Sequence, residues 1–407
     1  MRRFAVFLSL LILAGCAAPA ARETSSAVPS EPTQSAERTS PASQTATPVP
    51  TVRLEGHVAT YRGDAGRQGL MPGPGPTGSP AVAWEFSAGG SFGSSPVVDA
   101  GVVYALSGDG VVHALDLQTG AERWAETLES TAGASPLLVR DLVLVVDDAG
   151  TVYGLTMDDG SRTWATDLGG PVSGSPALVG SVVVAANQSG DVYALDPATG
   201  SVTWRVNVGA GVFRSVAADT NAVYLGLGEE IVALGVEDGA ILWRSTVSTD
   251  GVVGTPTVAD GIVYAATGLD ADDAGSRGIA TLDAATGDPG WRYASADQAQ
   301  VYTPAVAGDR AYVVGHDRLL VALDSATGTV VWQSERPSEL EALAAVVGDI
   351  VYIVGNEGPA EAIAADSGEA IWSVPIRGVP FAPAVVDGYL LVGTNVGMLY
   401  AIRGSAR

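Results

Sequence analysis

The chain carries eight tryptophans, which recur at intervals close to forty residues. They are Trp84, Trp124, Trp164, Trp204, Trp243, Trp291, Trp332 and Trp372. A period of about forty, sustained over most of a chain, is typical of repeated supersecondary units that stack on one another. We therefore expect a repeat array, in which a residue present in every copy belongs to the scaffold rather than to a site.

Seven of these tryptophans end a common frame, seen in residues 114–124 as Ala-Leu-Asp-Leu-Gln-Thr-Gly-Ala-Glu-Arg-Trp. A glycine occupies the same place in all seven frames: Gly120, Gly160, Gly200, Gly239, Gly287, Gly328 and Gly368. Tight turns with a positive φ require glycine, and an aspartate such as Asp116 bonds the backbone of the same turn. The frame therefore predicts a turn between two strands.

Each repeat predicts four short strands, A to D, separated by glycine-rich turns. In the first copy they are placed at 93–98, 101–107, 110–116 and 121–127. Four such strands form one blade of a β-propeller. A proline recurs in strand A, which fits an inner edge strand facing the axis. These prolines are Pro96, Pro136, Pro176, Pro256, Pro304 and Pro383.

The two ends of the array predict how the ring closes. Trp84 lacks the turn frame before it, and the last segment, 381–402, holds three strands without a tryptophan. Strand 82–87 is therefore expected to pair with strands 381–402. The result is an all-β fold over 80–407, an eight-bladed propeller of four-stranded antiparallel blades without free ring edges. Each tryptophan is expected to lie between neighbouring blades.

The start of the chain reads as an export signal. Residues 1–15 combine Arg2 and Arg3 with a short apolar run. The end of this run, Leu-Ala-Gly-Cys, resembles a bacterial lipobox, which implies lipid modification of Cys16, the single cysteine. Residues 16–57, rich in Ser, Thr, Pro and Ala, predict a disordered tether, followed by a leader at 58–79. We expect a monomer anchored by lipid to the outer face of the cell membrane.

The charge balance excludes one class of partner. The chain has a formal net charge of −24 and contains no lysine, so nucleic-acid binding and lysine-based catalysis are not expected. This composition also suggests a high-GC, actinobacterial genome.

The frames Ala-Leu-Asp-x-x-Thr-Gly-x-x-x-Trp and Asp-Gly-x-Val-Tyr-Ala-Leu-Asp resemble the pyrroloquinoline-quinone (PQQ)-like propeller repeat over residues 80–403. Residues 61–76 resemble the leader of stand-alone proteins of this family. The resemblance implies one of two roles. Quinoprotein dehydrogenases hold PQQ and Ca²⁺ over the axis, commonly beneath a vicinal disulfide, with an acidic base. The propeller lipoprotein of the outer-membrane β-barrel assembly machinery is non-enzymatic. The single cysteine and the absence of long insertions favour the second role.

The sequence offers few residues for catalysis. His57, His113 and His316 are the three histidines, and their spacing matches no metal site. No nucleophile elbow, phosphate loop or zinc helix stands out.

The loops between strands B and C are rich in carboxylates. They contain Asp109, Asp147, Asp148, Glu229, Glu230, Asp270, Asp272, Asp273, Asp317 and Glu357. These side chains predict either a ring that attracts cations or basic peptides, or ordinary turn contacts in an acidic protein. Within the eight-residue insertion, Asp270, Asp272 and Asp273 are a weak Ca²⁺ candidate that lacks a terminal bidentate acid. An elongated hairpin is the favoured interpretation.

The loops between strands D and A place aromatic and arginine side chains ahead of the axis. These residues are Phe92, Phe213, Arg214, Tyr302 and Phe381. They are expected to rim a central funnel, either as a surface for a peptide or sugar or as a plug of the channel mouth.

The sequence thus predicts a non-catalytic binding or assembly scaffold of the cell envelope, with an envelope protein, peptide or polysaccharide as partner and no cofactor. One alternative is a PQQ-dependent dehydrogenase of alcohols or sugars, with PQQ and Ca²⁺. A carbohydrate-binding or sensor module is another.

Overall fold

A computed structural model describes residues 57–248, 253–268, 277–340 and 342–405. The predicted signal peptide, Cys16, nearly all of the tether and the loop carboxylates Asp270, Asp272 and Asp273 lie outside the described residues. The described part contains a short 3-10 turn at Ala296–Gln298, and no helix in it is long and apolar enough to cross a membrane.

The strands, in chain order, are β1 (Ala81–Ser87), β2 (Val97–Asp99), β3 (Val102–Leu106), β4 (Val111–Asp116), β5 (Glu122–Thr127), β6 (Leu137–Val139), β7 (Leu142–Val146), β8 (Thr151–Thr156), β9 (Arg162–Asp167), β10 (Ala177–Val179), β11 (Val182–Ala186), β12 (Asp191–Leu195), β13 (Val202–Asn207), β14 (Ala217–Ala218), β15 (Ala222–Leu227), β16 (Glu230–Gly235), β17 (Ile241–Thr246), β18 (Thr257–Ala259), β19 (Ile262–Thr267), β20 (Gly278–Asp283), β21 (Pro289–Ala294), β22 (Ala305–Ala307), β23 (Arg310–Val314), β24 (Leu319–Asp324), β25 (Val330–Glu335), β26 (Ala345–Val347), β27 (Ile350–Val354), β28 (Pro359–Ala364), β29 (Ala370–Pro375), β30 (Ala384–Val386), β31 (Tyr389–Gly393) and β32 (Met398–Arg403).

These strands form eight four-stranded antiparallel blades. Blade 1 is β2 to β5, and six further blades follow in chain order up to β29. Blade 8 has the order β1-β32-β31-β30, with Trp84 paired to Ala401. The predicted all-β, eight-bladed propeller and its closure by the first strand are confirmed.

Strand A begins later than predicted. It covers 97–99 in blade 1 rather than 93–98, and each recurring proline directly precedes the strand instead of lying within it. The reason is hydrogen bonding: the backbone N–H of Ser95 donates to the Ser135 side chain of the next blade at 3.0 Å, not to a ladder. Residues 93–95 therefore lie outside the strand ladder and line the axis.

The core lies between the blades, so the middle strands are buried on both faces. All five residues of β3 and of β7 are buried, whereas the outer strand β5 alternates between exposed and half-buried residues. Each fully buried Val or Leu stabilises the fold by about 1.5–3 kcal/mol before conformational entropy is counted. Stacking of apolar sheet faces therefore holds the ring together.

The tryptophans join neighbouring blades, as expected. The indole nitrogen of Trp124 donates to the carbonyl of Met157 in the next blade at 2.9 Å, and the indole ring covers Gly160. The seven frame glycines have φ of +69° to +75°, and a β-carbon on any of them would come within 2.3–2.7 Å of the preceding blade's indole. Glycine is thus required twice, by the turn and by the ring above it.

Residues 58–73, here called the strap, wind around the inner edge of the propeller. Their carbonyls accept hydrogen bonds from the central N–H of strand A in six blades, for example Val98 to Val58 and Val306 to Gln68. Gly73 bridges to Val386 in blade 8. The strap therefore satisfies inner-edge donors that would otherwise face the channel.

Two buried arginines fasten the strap. Arg67 donates to the carbonyls of Val216 and Pro176 at 2.8 and 2.6 Å, and Arg62 donates to the Thr257 hydroxyl and the Pro304 carbonyl at 3.0 and 2.7 Å.

Blade 8 lacks its own C-to-D turn because its two strands come from opposite ends of the array. Trp372 accordingly donates to Pro76 O, just beyond the strap, at 3.3 Å.

Candidate functional site

An axial funnel of 570 Å³ opens among the D-to-A loops. Loop residues of all eight blades contribute to its wall, and Tyr61 and Arg62 of the strap also line it. The B-to-C loops bond to the D-to-A loops, as in the hydrogen bond from Asp148 N to Thr131 O at 2.7 Å. The two loop sets therefore share one face, as the sequence predicts, and the funnel lies on that face.

A row of hydroxyls runs around part of the wall, at one residue per blade. Each backbone N–H donates to the hydroxyl of the next blade: Ser95 to Ser135, Ser135 to Ser175, Ser175 to Ser215 and Ser215 to Thr255, at 2.9–3.1 Å. Thr303 continues the row by donating to the carbonyl of Thr255 at 2.6 Å. We call these six residues the hydroxyl arc. The hydroxyl arc was not identified from the sequence, although the Ser or Thr that recurs every forty residues from Ser95 to Thr255 indicates it.

The arc ends at blades 7 and 8, where Leu343 and Ala382 line the wall. Val379, Pro380 and Phe381 extend this stretch, here called the apolar arc. The funnel wall is therefore amphipathic, with hydroxyls over one part of its circumference and apolar side chains over the rest.

The strap carries a cluster of positive charge at the funnel. Arg67 lies over the Tyr61 ring, with its guanidinium carbon 5.3 Å from the ring centre, a cation–π geometry. Burial raises the pKa of Tyr61, while the charges of Arg62, Arg67 and Arg214 act to lower it. The Tyr61 hydroxyl consequently remains a hydrogen-bond donor at neutral pH.

The structure brings together three of the five predicted rim residues. Arg214, Tyr302 and Phe381 line the funnel and are partly exposed. The Tyr302 hydroxyl lies 2.7 Å from His316 Nε2, so this histidine holds the tyrosine in place. Phe213 is 55% exposed but does not line the cavity.

The prediction that Phe92 rims the funnel is wrong. Its side chain is 1% exposed and packs near Phe86 and His113, with ring centres 6.4 and 6.1 Å away. Apolar side chains such as Val172 and Val212 are buried at the equivalent position of other blades. Phe92 therefore belongs to the core between blades.

Several described carboxylates of the B-to-C loops contact their own turn or the neighbouring D-to-A loop. Asp147 accepts bonds from two backbone N–H groups of its own turn and from the Tyr153 hydroxyl. Asp148 accepts from Thr131, and Glu357 accepts from Gly378 N. Among the described residues none of these carboxylates lines the funnel, which favours turn chemistry over a cation-binding ring.

His113 bridges two side chains inside blade 1. Its Nδ1 lies 2.7 Å from Glu122 and its Nε2 lies 3.2 Å from Ser107. The order of groups resembles a nucleophile triad, but Ser107 is fully buried, so no substrate reaches it. The group stabilises the blade.

Fold and cavity together define an eight-bladed propeller with an axial funnel. The family model described as "Outer membrane protein assembly factor BamB" matches residues 76–216 and 229–381. The chain therefore belongs to this family of PQQ-like repeat propellers. A search of curated proteins finds no significant match.

Solved structures share the fold at low identity. BamB from Moraxella catarrhalis aligns with a TM-score of 0.66 and 18% identity, over 81% of this chain and 99% of that one. Quinohemoprotein alcohol dehydrogenase from Comamonas testosteroni aligns at 0.66 and 17%, over 86% and 81%. A europium-containing methanol dehydrogenase aligns at 0.69 and 12%, over 86% and 98%. Identities this low show the fold alone.

The funnel lining is a poor match to PQQ held by Ca²⁺. Calcium takes 6–8 oxygen ligands, commonly carboxylates. Within the described part of the chain, the lining includes hydroxyls and arginines but no Asp, Glu or His. In the described ranges no three His, Cys, Asp or Glu side chains come together as metal ligands. The described lining thus supplies neither a calcium site nor an acidic base.

Proposed function

We propose that this protein is a non-catalytic binding or assembly scaffold of the cell envelope, and that the funnel face is its binding face. One observation carries the proposal. The funnel is large enough for a ligand or a partner's side chains, yet its described lining holds no carboxylate or imidazole for proton transfer.

The family relationship supports a role in assembly. The matching family model is described as an outer membrane protein assembly factor, and the BamB chain from Moraxella catarrhalis aligns over 99% of its length. Such a role needs an accessible surface rather than a reaction centre. Phe213, at 55% exposure beside the funnel residue Arg214, offers an aromatic anchor for a partner.

Site-specific photo-cross-linking in the producing cells tests the binding face. A photoreactive residue replaces Phe213 on the funnel face or Leu242 on the outer strand β17 of the same blade. The two side chains are 55% and 54% exposed, so accessibility is matched. We expect one defined envelope partner from position 213 and none from 242. Equal labelling from both positions, or labelling from 242 alone, would contradict the proposal.

We also propose that lipid on Cys16 holds the protein on the outer face of the membrane. Growth with an alkyne-labelled fatty acid, followed by fractionation, tests this. The wild-type protein should carry label and sediment with membranes, whereas Cys16→Ala should carry none and be released. A membrane-bound, unlabelled wild-type protein would be inconsistent with lipid anchoring.

A further inference from the structure

We propose that the funnel binds an organic anion, whose carboxylate or phosphate group contacts Tyr61, Arg62 and Arg214 and whose apolar body lies on the apolar arc. This inference rests on the proposed binding role of the funnel and names the class of ligand.

The charge of the funnel is opposite to that of the protein. The chain has 45 acidic and 21 basic residues, yet the described residues that line the funnel include Arg62 and Arg214 and no Asp or Glu. Arg67 adds a third positive charge behind Tyr61. A cationic cavity in an acidic protein selects anions by attraction inside and by repulsion of anions elsewhere on the surface.

Arg62 is the central element of this argument. Its side chain is 1% exposed, and its hydrogen bonds go to two neutral oxygens, Thr257 Oγ1 and Pro304 O. Its Nε has no hydrogen-bond partner, and it forms no ion pair with a carboxylate of the described residues. Burial lowers the pKa of Arg62, while the nearby Tyr61 and Asp64 act to raise it. Burying a cation that has no hydrogen-bonded carboxylate is costly, and a bound anion would offset that cost through charge-assisted contacts.

Neutral donors complete the polar end of the funnel. The Tyr61 hydroxyl stays protonated because burial raises its pKa above the ordinary value. The hydroxyl arc lies on the same wall. Together these groups can donate several hydrogen bonds to an anion's oxygens.

The apolar arc selects a ligand with an apolar body. Leu343 and Phe381 lie on the part of the wall where the hydroxyl arc stops. A cavity of 570 Å³ falls within the range of roughly 300–1,000 Å³ that small-molecule sites occupy. An aromatic or aliphatic acid thus matches the funnel in charge, polarity and volume.

Calorimetric titration of the full-length protein with small matched probes tests this inference. Benzoate and phenyl phosphate carry the two anionic groups, benzamide is the neutral counterpart of benzoate, and benzylamine is the cation. We expect one anion to bind at least about tenfold more tightly than benzamide, and benzylamine not to bind. The better of the two anions shows whether a carboxylate or a phosphate is preferred.

Two variants of the apolar arc keep the test independent of folding. Leu343→Asp places a carboxylate in the funnel and leaves the bonds of Arg62 unchanged, whereas Leu343→Asn is its neutral counterpart of the same shape. Both variants remove the apolar contact of Leu343, so the Asn variant is the reference. Anion binding in the Asp variant should be at least about tenfold weaker than in the Asn variant, because of charge repulsion. Equal binding of benzamide and benzoate, no saturable anion binding, or equal effects of the two variants would overturn the inference. A defined cross-link from position 213 in that case would leave the scaffold role standing.

Discussion

The indole ring of Trp124 lies directly over Gly160 of the following blade, so that a β-carbon at position 160 would come within 2.7 Å of the ring. The contact recurs at seven blade junctions, which explains why one residue type fills this turn in every frame. The indole contact and the positive φ both oppose a β-carbon at position 160. Mutations can separate their contributions to the free energy of unfolding.

Gly160→Ala should destabilise the protein by about 2–4 kcal/mol, since the left-handed backbone and the clash with the indole both oppose a side chain. Gly180→Ala is the control. Gly180 also has a positive φ, +57°, but nothing lies within 4 Å of its missing β-carbon, so it should cost about 1 kcal/mol. Urea unfolding of both variants measures the difference. Equal losses would mean that the indole contact contributes nothing.

Phe92 and Phe213 should respond in opposite ways to truncation. Phe92→Ala removes a side chain that is 1% exposed and should cost about 3–5 kcal/mol. Phe213→Ala removes one that is 55% exposed and should change stability by no more than about 0.5 kcal/mol. Thermal melting of both variants decides the point. A large loss for Phe213→Ala would make it structural and weaken its use as a binding anchor.

The hydroxyl arc should matter for stability as well as for the funnel wall. Ser175→Ala leaves the backbone N–H of Ser135 without its acceptor, which should cost about 1–3 kcal/mol. Ser173→Ala is the matched control, because Ser173 is exposed and accepts a solvent-exposed hydrogen bond from the half-buried Gln188. A change in stability of similar size in both variants would rule out a structural role for the arc.

Turn aspartates should make the propeller sensitive to acid. The hydrogen bond from Thr156 lowers the pKa of Asp159 to about 2, and bonds from Thr286 and Thr327 lower the pKa of Asp283 and of Asp324. A lowered folded pKa contributes stability that is present above the ordinary value of about 3.9 and is lost as pH falls through the folded pKa. Melting temperature should therefore fall between about pH 4 and pH 2.

Asparagine variants check this assignment. Asn keeps the acceptor oxygen of the turn but does not titrate. A chain with Asp159, Asp283 and Asp324 all changed to Asn should lose less melting temperature over the same pH interval. Burial raises the pKa of Glu361, so this residue acts in the opposite direction and is left unchanged. An identical acid profile for wild type and variant would show that other groups control acid unfolding.

The fold was predictable because its determinants are local and recur. The contact between Trp124 and Gly160 has an equivalent at seven blade junctions, so the repeat of the sequence directly indicates the repeat of the blades. The strap has no such period. Its contacts at Val58, Gly66 and Gln68 meet regularly spaced strands from irregular positions, and sequence comparison between repeats does not detect it.

Only part of the site was predictable, because the predicted rim residues occupy different positions of the repeat. Arg214, Tyr302 and Phe381 occupy one position of the repeat, Phe213 lies one position earlier, and Phe92 aligns with the buried Val212, two positions earlier. Comparing the copies column by column would have separated them. The buried Arg62 and Arg67 carried a weaker signal, since arginine normally lies at the surface. Their left-handed backbones, with φ of +59°, appear only in the structure.

The central claim is that the funnel binds without catalysing. The most direct test is titration of the full-length protein with PQQ, with and without Ca²⁺, followed by dye-linked oxidation of alcohols and sugars. The described lining carries no carboxylate to hold Ca²⁺ or to act as a base. We therefore predict no effect of Ca²⁺ on binding and no turnover. Calcium-dependent, saturable binding with substrate oxidation would contradict the claim and identify a dehydrogenase.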